Sequence, residues 1–177
     1  MSRSSKNASA SSFLPPAIVA GELAVLFVGA TMPSPLYPLY ARRFGFGEIT
    51  LTLVYAAYVL GNLAALLLLG RLSDQIGRRR ATLPALGLAI ASTIAFLIMA
   101  GTASLFAGRI LSGVATGLGA GAMTAWLAEL PGNSTLRSAS IATAANFLGT
   151  ATGPLLSGIL ATFVPAPLIV PSPEAVP

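Results

Sequence analysis

The sequence predicts an all-α membrane protein with about five transmembrane helices. Of its 177 residues, 55% are hydrophobic and only 8% are charged, whereas a soluble domain has roughly 25% charged residues. Long segments without charge recur along the chain, and each can supply the roughly 20 residues that a helix needs to cross the hydrocarbon core. The charged side chains are too few to cover a soluble domain, so lipid is expected to cover most of the surface.

Five segments fit transmembrane helices, at about residues 16–40, 49–70, 81–100, 104–130 and 139–163. The first contains a single charge, Glu22, and ends beside Tyr37 and Tyr40, which suit the membrane interface. A cleavable signal peptide is the alternative interpretation, but Glu22 and a length of about 25 residues are unlike a signal core. The second and third segments contain no charge, and Gly101 with Thr102 separates the third from the fourth.

The two ends of the chain are polar or rich in proline. Residues 1–12 are Ser-rich and are predicted to be disordered in the cytoplasm. Residues 164–177 form a tail with five prolines, and those at 165, 167, 171 and 173 prevent a regular sixth helix. Most basic residues flank the predicted helices on the side of the N-terminus, which the positive-inside rule places in the cytoplasm. A multi-pass protein of the cell membrane is therefore expected, with the tail outside.

Composition excludes several classes of function. The chain contains no cysteine and no histidine, so no disulfide, thiol nucleophile, imidazole base or zinc-type ligand set is available. No paired carboxylates occur within a predicted helix, so the chain is not expected to be an enzyme, and no cofactor or metal is expected. The isoelectric point near 10.5 could suggest nucleic acid, but the arginines lie between apolar segments, where membrane orientation explains them better.

The most specific pattern occupies residues 70–80, G-R-L-S-D-Q-I-G-R-R-R, in a short predicted loop between the second and third helices. It resembles the G-x-L-a-D-[RK]-x-G-[RK]-[RK] signature of the major facilitator superfamily of secondary transporters. The matching positions are Gly70, Leu72, Asp74, Gly77, Arg78 and Arg79. Such a loop can latch one conformational state, because its charges can face helix ends or opposite charges. A loop that simply collects arginines would need neither the aspartate nor the paired glycines.

Two later segments also resemble patterns of that family. Arg109 lies in the fourth helix at the start of an R-x-x-x-G pattern. An arginine in lipid is costly and is expected to face the bundle interior, although its side chain could instead reach the interface. In the fifth helix, a g-x-x-x-G-P-x-x-G-G pattern resembles that of the drug and proton antiporter branch, with matches at Gly149, Gly153, Pro154 and Gly158. A hinge is one interpretation of that segment, and close helix packing is the other.

Two acidic residues are further candidates. Glu22 is the sole acidic residue of a predicted helix that lies away from the helix ends, so it could exchange a proton or meet a cationic substrate. The alternative is an interfacial side chain that reaches headgroup water. Glu129, at the end of the fourth helix, could form an ion pair with Arg78.

The resemblance implies two six-helix halves that rock around a central path. This chain resembles about five helices of the N-terminal half, so a truncated transporter is expected, completed by a separate second half or by a homo-oligomer. Proton-coupled export of a small organic or drug-like solute is the implied function. A non-transporting truncated membrane protein, or a half-transporter that needs a partner chain, is the alternative. Lipid, the solute and protons are the expected partners, and nucleic acid is not.

Overall fold

The computed structural model describes residues 4–98 and 101–163, with side chains described from residue 16 onward except at positions 43, 72 and 98. Within these ranges all regular structure is helical. The elements are α1 (Ser4–Thr31), a 3₁₀ turn (Ser34–Leu36), α2 (Tyr37–Phe44), α3 (Glu48–Ala64), a π-helical turn (Ala65–Leu69), α4 (Gly70–Ile76), α5 (Arg78–Ile98), α6 (Thr102–Glu129) and α7 (Thr135–Phe163).

Four stretches of the described chain are long and apolar enough to cross a membrane: Pro16–Arg42, Glu48–Leu69, Arg78–Leu97 and Thr102–Glu129. The prediction of an all-α membrane protein is confirmed. Helix α7, with 29 residues, occupies the place of the predicted fifth span and is long enough to cross. Its serines, threonines and asparagine make it less apolar than the other four, so its crossing stays a prediction.

The first predicted helix, at about residues 16–40, covers nearly the same residues as the stretch Pro16–Arg42, but the helices in this region have other ends. Helix α1 begins at Ser4, inside the segment whose composition favours disorder. Alanines at positions 8 and 10 have high helix propensity, which allows the helix to extend toward the N-terminus. At the other end, α1 stops at Thr31, because the prolines at 33, 35 and 38 lack the N–H groups that a continuous helix needs. The proline-rich tail at 164–177 lies outside the described residues.

Helix α6 lies at the centre of the bundle, in contact with α1, α3, α5 and α7. Glycines allow the close approach to α3: a Cβ at Gly113 would collide with the carbonyl oxygen of Tyr58, and one at Gly61 would lie 2.7 Å from that of Ile110. The end of α6 is fixed by two donors on one carbonyl, since Ser138 Oγ and Asn133 Nδ2 both bond to Leu127 O, at 2.9 and 3.1 Å. This cap orients the start of α7.

The outer surface of the described bundle is apolar. Large side chains such as Ile49, Leu67 and Leu136 are about 80% exposed, which water would disfavour and lipid accepts. The interior holds two apolar clusters. One surrounds Leu23 on α1 and Met123 on α6. The other surrounds Tyr37 and lies toward the opposite end of the bundle.

Candidate functional site

The bundle has two ends, and we name each after a feature. At the α4 end, α4, the start of α5, the end of α6 and the start of α7 meet. At the Gly101 end lie α2, the start of α3, the end of α5 and the start of α6. Because α6 runs from one end to the other, Arg109 and Glu129 are separated by about 30 Å along the helix axis.

Arg78 is the centre of a charge cluster at the α4 end. Its Nε donates to Oε1 of Glu129 at 3.0 Å, and its Nη1 donates to Ser73 Oγ at 2.8 Å. The same guanidinium forms an ion pair with Asp74, one turn earlier in the chain. The structure thus brings together three of the residues singled out in the sequence, and they tie α4, α5 and α6 to one another.

This charge cluster is accessible to water. The side chains of Asp74 and Glu129 are 56% and 57% exposed, and that of Arg78 is 24% exposed. An exposed ion pair contributes only about 0–1 kcal/mol, so the cluster can form and break at little cost. That is the property required of a contact that changes between two conformations.

The expected loop at residues 70–80 is mostly helical. Helix α4 covers Gly70–Ile76, and α5 begins at Arg78, so a single residue separates the two helices. That residue, Gly77, has φ +92°, a backbone conformation that other residues adopt only with strain. An added Cβ at Gly70 would meet no atom within 4 Å, and Arg79 is exposed. The side chain of Leu72 lies outside the described part.

Arg109 points into the bundle near the Gly101 end. Its side chain is buried, with 2% of the residue surface exposed. Nη1 donates to the carbonyl oxygen of Ala30 at 2.7 Å, and Nη2 makes a long contact of 3.4 Å with Ser34 Oγ. Ala30 lies in the last turn of α1, where carbonyl groups lack partners within the helix. Arg109 therefore caps α1 with a donor and with positive charge.

Four aromatic rings surround the guanidinium of Arg109, and we call them the aromatic cage. The distances from its Cζ to the ring centroids are 4.8 Å for Tyr37, 5.7 Å for Tyr58, 5.8 Å for Tyr55 and 5.9 Å for Phe96. Tyr37 and Tyr55 also meet edge to face, with centroids 5.0 Å apart. The rings come from α2, α3 and α5, so Arg109 connects the helices of this end through cation–π contacts.

Small residues make room for the cage. A Cβ at Gly108 would lie 2.8 Å from the ring of Phe96, so that ring lies directly against the backbone of α6 at this glycine. Ser92 Oγ also donates to the carbonyl oxygen of Gly108 at 2.8 Å. The sequence pattern did not single out the tyrosines of α3, although Tyr55 and Tyr58 are three residues apart and therefore share one helix face.

Glu22 lies apart from Arg109. It is partly buried on the flank of α1 beside Val19, Leu23 and Leu26, and its Oε2 is buried without a hydrogen-bond partner among the described residues. The carbonyl that Arg109 binds belongs to Ala30, which lies about 12 Å further along the helix axis. The two charged groups expected within the membrane are therefore not paired with each other.

The glycine and proline pattern of α7 lies partly against α1. A Cβ at Gly149 would collide with the carbonyl oxygen of Ala24, and one at Gly153 would lie 2.7 Å from that of Val28. Pro154 lies inside α7 without ending it, and an added Cβ at Gly158 would meet nothing within 4 Å. Two of the four predicted residues thus form a close α1–α7 contact.

A groove of about 220 Å³ lies between α1, α6 and α7. Its walls combine apolar side chains with three polar ones. The lining residues are Leu23, Phe27, Ala120, Thr124, Ala139, Ala142, Thr143 and Asn146. No pattern within one helix predicts this groove, because it exists only where three helices converge. Among the described residues, no group of three acidic, cysteine or histidine side chains could hold a metal ion.

The sequence matches a known protein family. Residues 23–171, which make up most of the chain, match the family model described as Major Facilitator Superfamily. No curated protein sequence matches the chain.

Proposed function

The chain belongs to the major facilitator superfamily, and we propose that it exports a small organic or drug-like solute in exchange for protons. Proteins of this family transport small molecules across membranes and are not enzymes. The finer proposal rests on Glu22, on the two arginine sites at opposite ends of the bundle, and on the groove between α1, α6 and α7.

The observation that supports proton coupling is the position of Glu22. It is the acidic residue inside the first membrane-crossing stretch, Pro16–Arg42, and one of its carboxylate oxygens is buried without a partner among the described residues. Ionisable groups within a membrane are costly, so such a group favours a functional role. A carboxyl group in this position can take up a proton from one side and release it to the other.

The charge cluster around Arg78 supports alternating access. Its contacts join α4, α5 and α6 and are weak enough to break in each cycle. We assign it to the cytoplasmic side, because Arg71, the arginines 78–80 and Arg137 lie at this end. The plasma membrane and a cytoplasmic N-terminus belong to the same proposal.

The groove between α1, α6 and α7 supports the proposal of a solute path whose other side is formed by a second helical unit. Its polar side chains are Thr124, Thr143 and Asn146, and Thr150 continues the polar stripe on the exposed side of α7, where its Oγ1 bonds to Asn146 Oδ1 at 3.1 Å. Polar groups facing lipid are unfavourable. We therefore assign this face to contact with a second helical unit, either a second half of the transporter or a second copy of the chain.

The proposal is tested with the purified chain in liposomes that enclose a pH-sensitive dye. Organic solutes of different charge are added outside, and the movement of protons that each solute drives is recorded. Glu22→Gln is expected to abolish this movement. Glu48→Gln is the matched control, because Glu48 is exposed at the start of α3 and should leave it unchanged. Equal proton movement in Glu22→Gln and in the unchanged chain would contradict the role of Glu22.

A further inference from the structure

We propose that Arg109 and Tyr37 bind the carboxylate group of an organic anion, so that the solute is a carboxylate. This inference rests on the proposed transport function for its place in a solute path. It specifies the charge of the solute, which composition and family membership leave open.

The first argument is the charge balance at Arg109. The group is buried, and its two acceptors, the Ala30 carbonyl and the Ser34 hydroxyl, are neutral. No carboxylate of a described residue lies within ion-pair distance of it. A buried charge normally requires a partner of opposite charge, and aromatic faces offset only part of that need.

The second argument is the presence of two buried donors without an acceptor. Nε of Arg109 and Oη of Tyr37 have no hydrogen-bond partner among the described residues. Tyr37 is 1% exposed, and its ring is the one nearest to the guanidinium. A carboxylate only accepts hydrogen bonds and carries the missing negative charge, so one such group can satisfy both kinds of donor.

The third argument concerns access to the site. Ser34 belongs to the 3₁₀ turn between α1 and α2, beside Pro33 and Pro35, and its contact with Arg109 is long. Displacement of this turn would open a route to Arg109 from the Gly101 end, while the shorter bond to Ala30 would still hold α6 against α1. We therefore place entry or release of the carboxylate at this end.

A water molecule is the competing acceptor for the two donors. Water would satisfy hydrogen bonds without supplying charge, so it predicts no preference between a carboxylic acid anion and its neutral amide. The two interpretations are separated by binding measurements with matched pairs of ligands.

Binding to the purified full chain in lipid nanodiscs is measured by equilibrium dialysis with radiolabelled acetate, benzoate and 2-naphthoate, each compared with its amide. At least one carboxylate is expected to bind about tenfold more tightly than its amide, the factor that one charge-assisted hydrogen bond provides. Equal binding of all three pairs, or no binding at all, would overturn the proposal.

Substitutions at and near the site test which residues bind the carboxylate. Tyr37→Phe keeps the ring and removes the hydroxyl, so it is expected to weaken carboxylate binding about tenfold without changing amide binding. Arg109→Lys keeps the charge but not the planar donor geometry and should bind more weakly still. Tyr40→Phe is the control, because Tyr40 stacks on Phe44 outside the cage. Unchanged binding in Tyr37→Phe would assign the hydroxyl to water.

The binding result is independent of transport. Carboxylate binding that depends on Tyr37, without any solute-driven proton movement in liposomes, would support the site and contradict the proposed function. Proton movement driven only by neutral or cationic solutes would support the function and contradict the carboxylate site.

Discussion

Arg78 and Arg109 lie at opposite ends of the same bundle and are stabilised in different ways. Arg78 is partly exposed and pairs with two exposed carboxylates, Asp74 and Glu129. Arg109 is buried, binds a carbonyl oxygen and is surrounded by aromatic rings, without a carboxylate from a described residue. One arginine therefore has charged partners in water, and the other has neutral partners in an apolar interior.

This difference determines how each end responds to water and salt. In water, ion pairs are weak, are screened by salt and are easily exchanged, so the α4 end suits repeated opening. In the interior, cation–π contacts and hydrogen bonds are stronger because solvent does not compete with them. The Gly101 end is therefore expected to depend strongly on its arginine for stability, and the α4 end only slightly.

The largest effect is expected from Arg109→Gln. It removes the cation from the aromatic cage and the cap from the last turn of α1, so the free energy of unfolding should fall by about 3 kcal/mol. Unfolding is followed in bicelles by titration with SDS, with the fluorescence of Trp126 as the signal. Arg42→Gln, at an exposed position of α2, should change stability by less than about 0.5 kcal/mol. Equal effects of the two substitutions would remove the distinction between buried and exposed arginines.

A smaller effect is expected from Gly113→Ala, which tests how the cage is positioned. The added Cβ would collide with the carbonyl oxygen of Tyr58, so α3 must move away from α6 at a cost of about 2 kcal/mol. The same titration measures this loss. Gly21→Ala is the matched control, because its Cβ would meet nothing within 4 Å and alanine favours helix. If Gly113→Ala leaves the free energy of unfolding unchanged, the α3–α6 contact is looser than described.

The smallest effect on stability is expected at the α4 end. A double-mutant cycle with Arg78→Gln and Glu129→Gln should give a coupling energy of about 0.5 kcal/mol. Because both partners are accessible to water, molar salt should reduce that coupling to nearly zero. Coupling above about 2 kcal/mol, or coupling independent of salt, would show that Arg78, like Arg109, is shielded from water.

The sequence predicted the features that depend on local composition and spacing. Gaps between charged residues located the helices, and the pattern at residues 70–80 singled out Asp74 and Arg78, which the structure brings together with Glu129. An isolated arginine in an apolar segment was expected to point inward, and Arg109 does. The positions of the helices and the direction of Arg109 follow from the cost of placing charge in lipid, whereas Asp74 and Arg78 were singled out by the resemblance to the family signature.

Features that depend on several helices could not be predicted. The aromatic cage requires the chain to continue from α1 through the 3₁₀ turn into α2, which places Tyr37 next to Arg109. The groove at Thr124 and Asn146 requires three helices to converge. The helical form of the expected loop was also missed, because a positive φ at Gly77 allows α4 and α5 to meet with only one residue between them. The spacing of residues along the sequence does not give the distances between residues on different helices.

Solute efflux from energised cells tests most directly that the chain is a transporter whose α4 end must open and close. Cells expressing the chain are compared with cells expressing Asp74→Asn, with the control Gln75→Ala at the exposed neighbouring position, and with empty vector. We predict proton-dependent efflux above the vector that Asp74→Asn abolishes and Gln75→Ala retains. Efflux that does not exceed the vector, or that is unchanged in Asp74→Asn, would contradict this account.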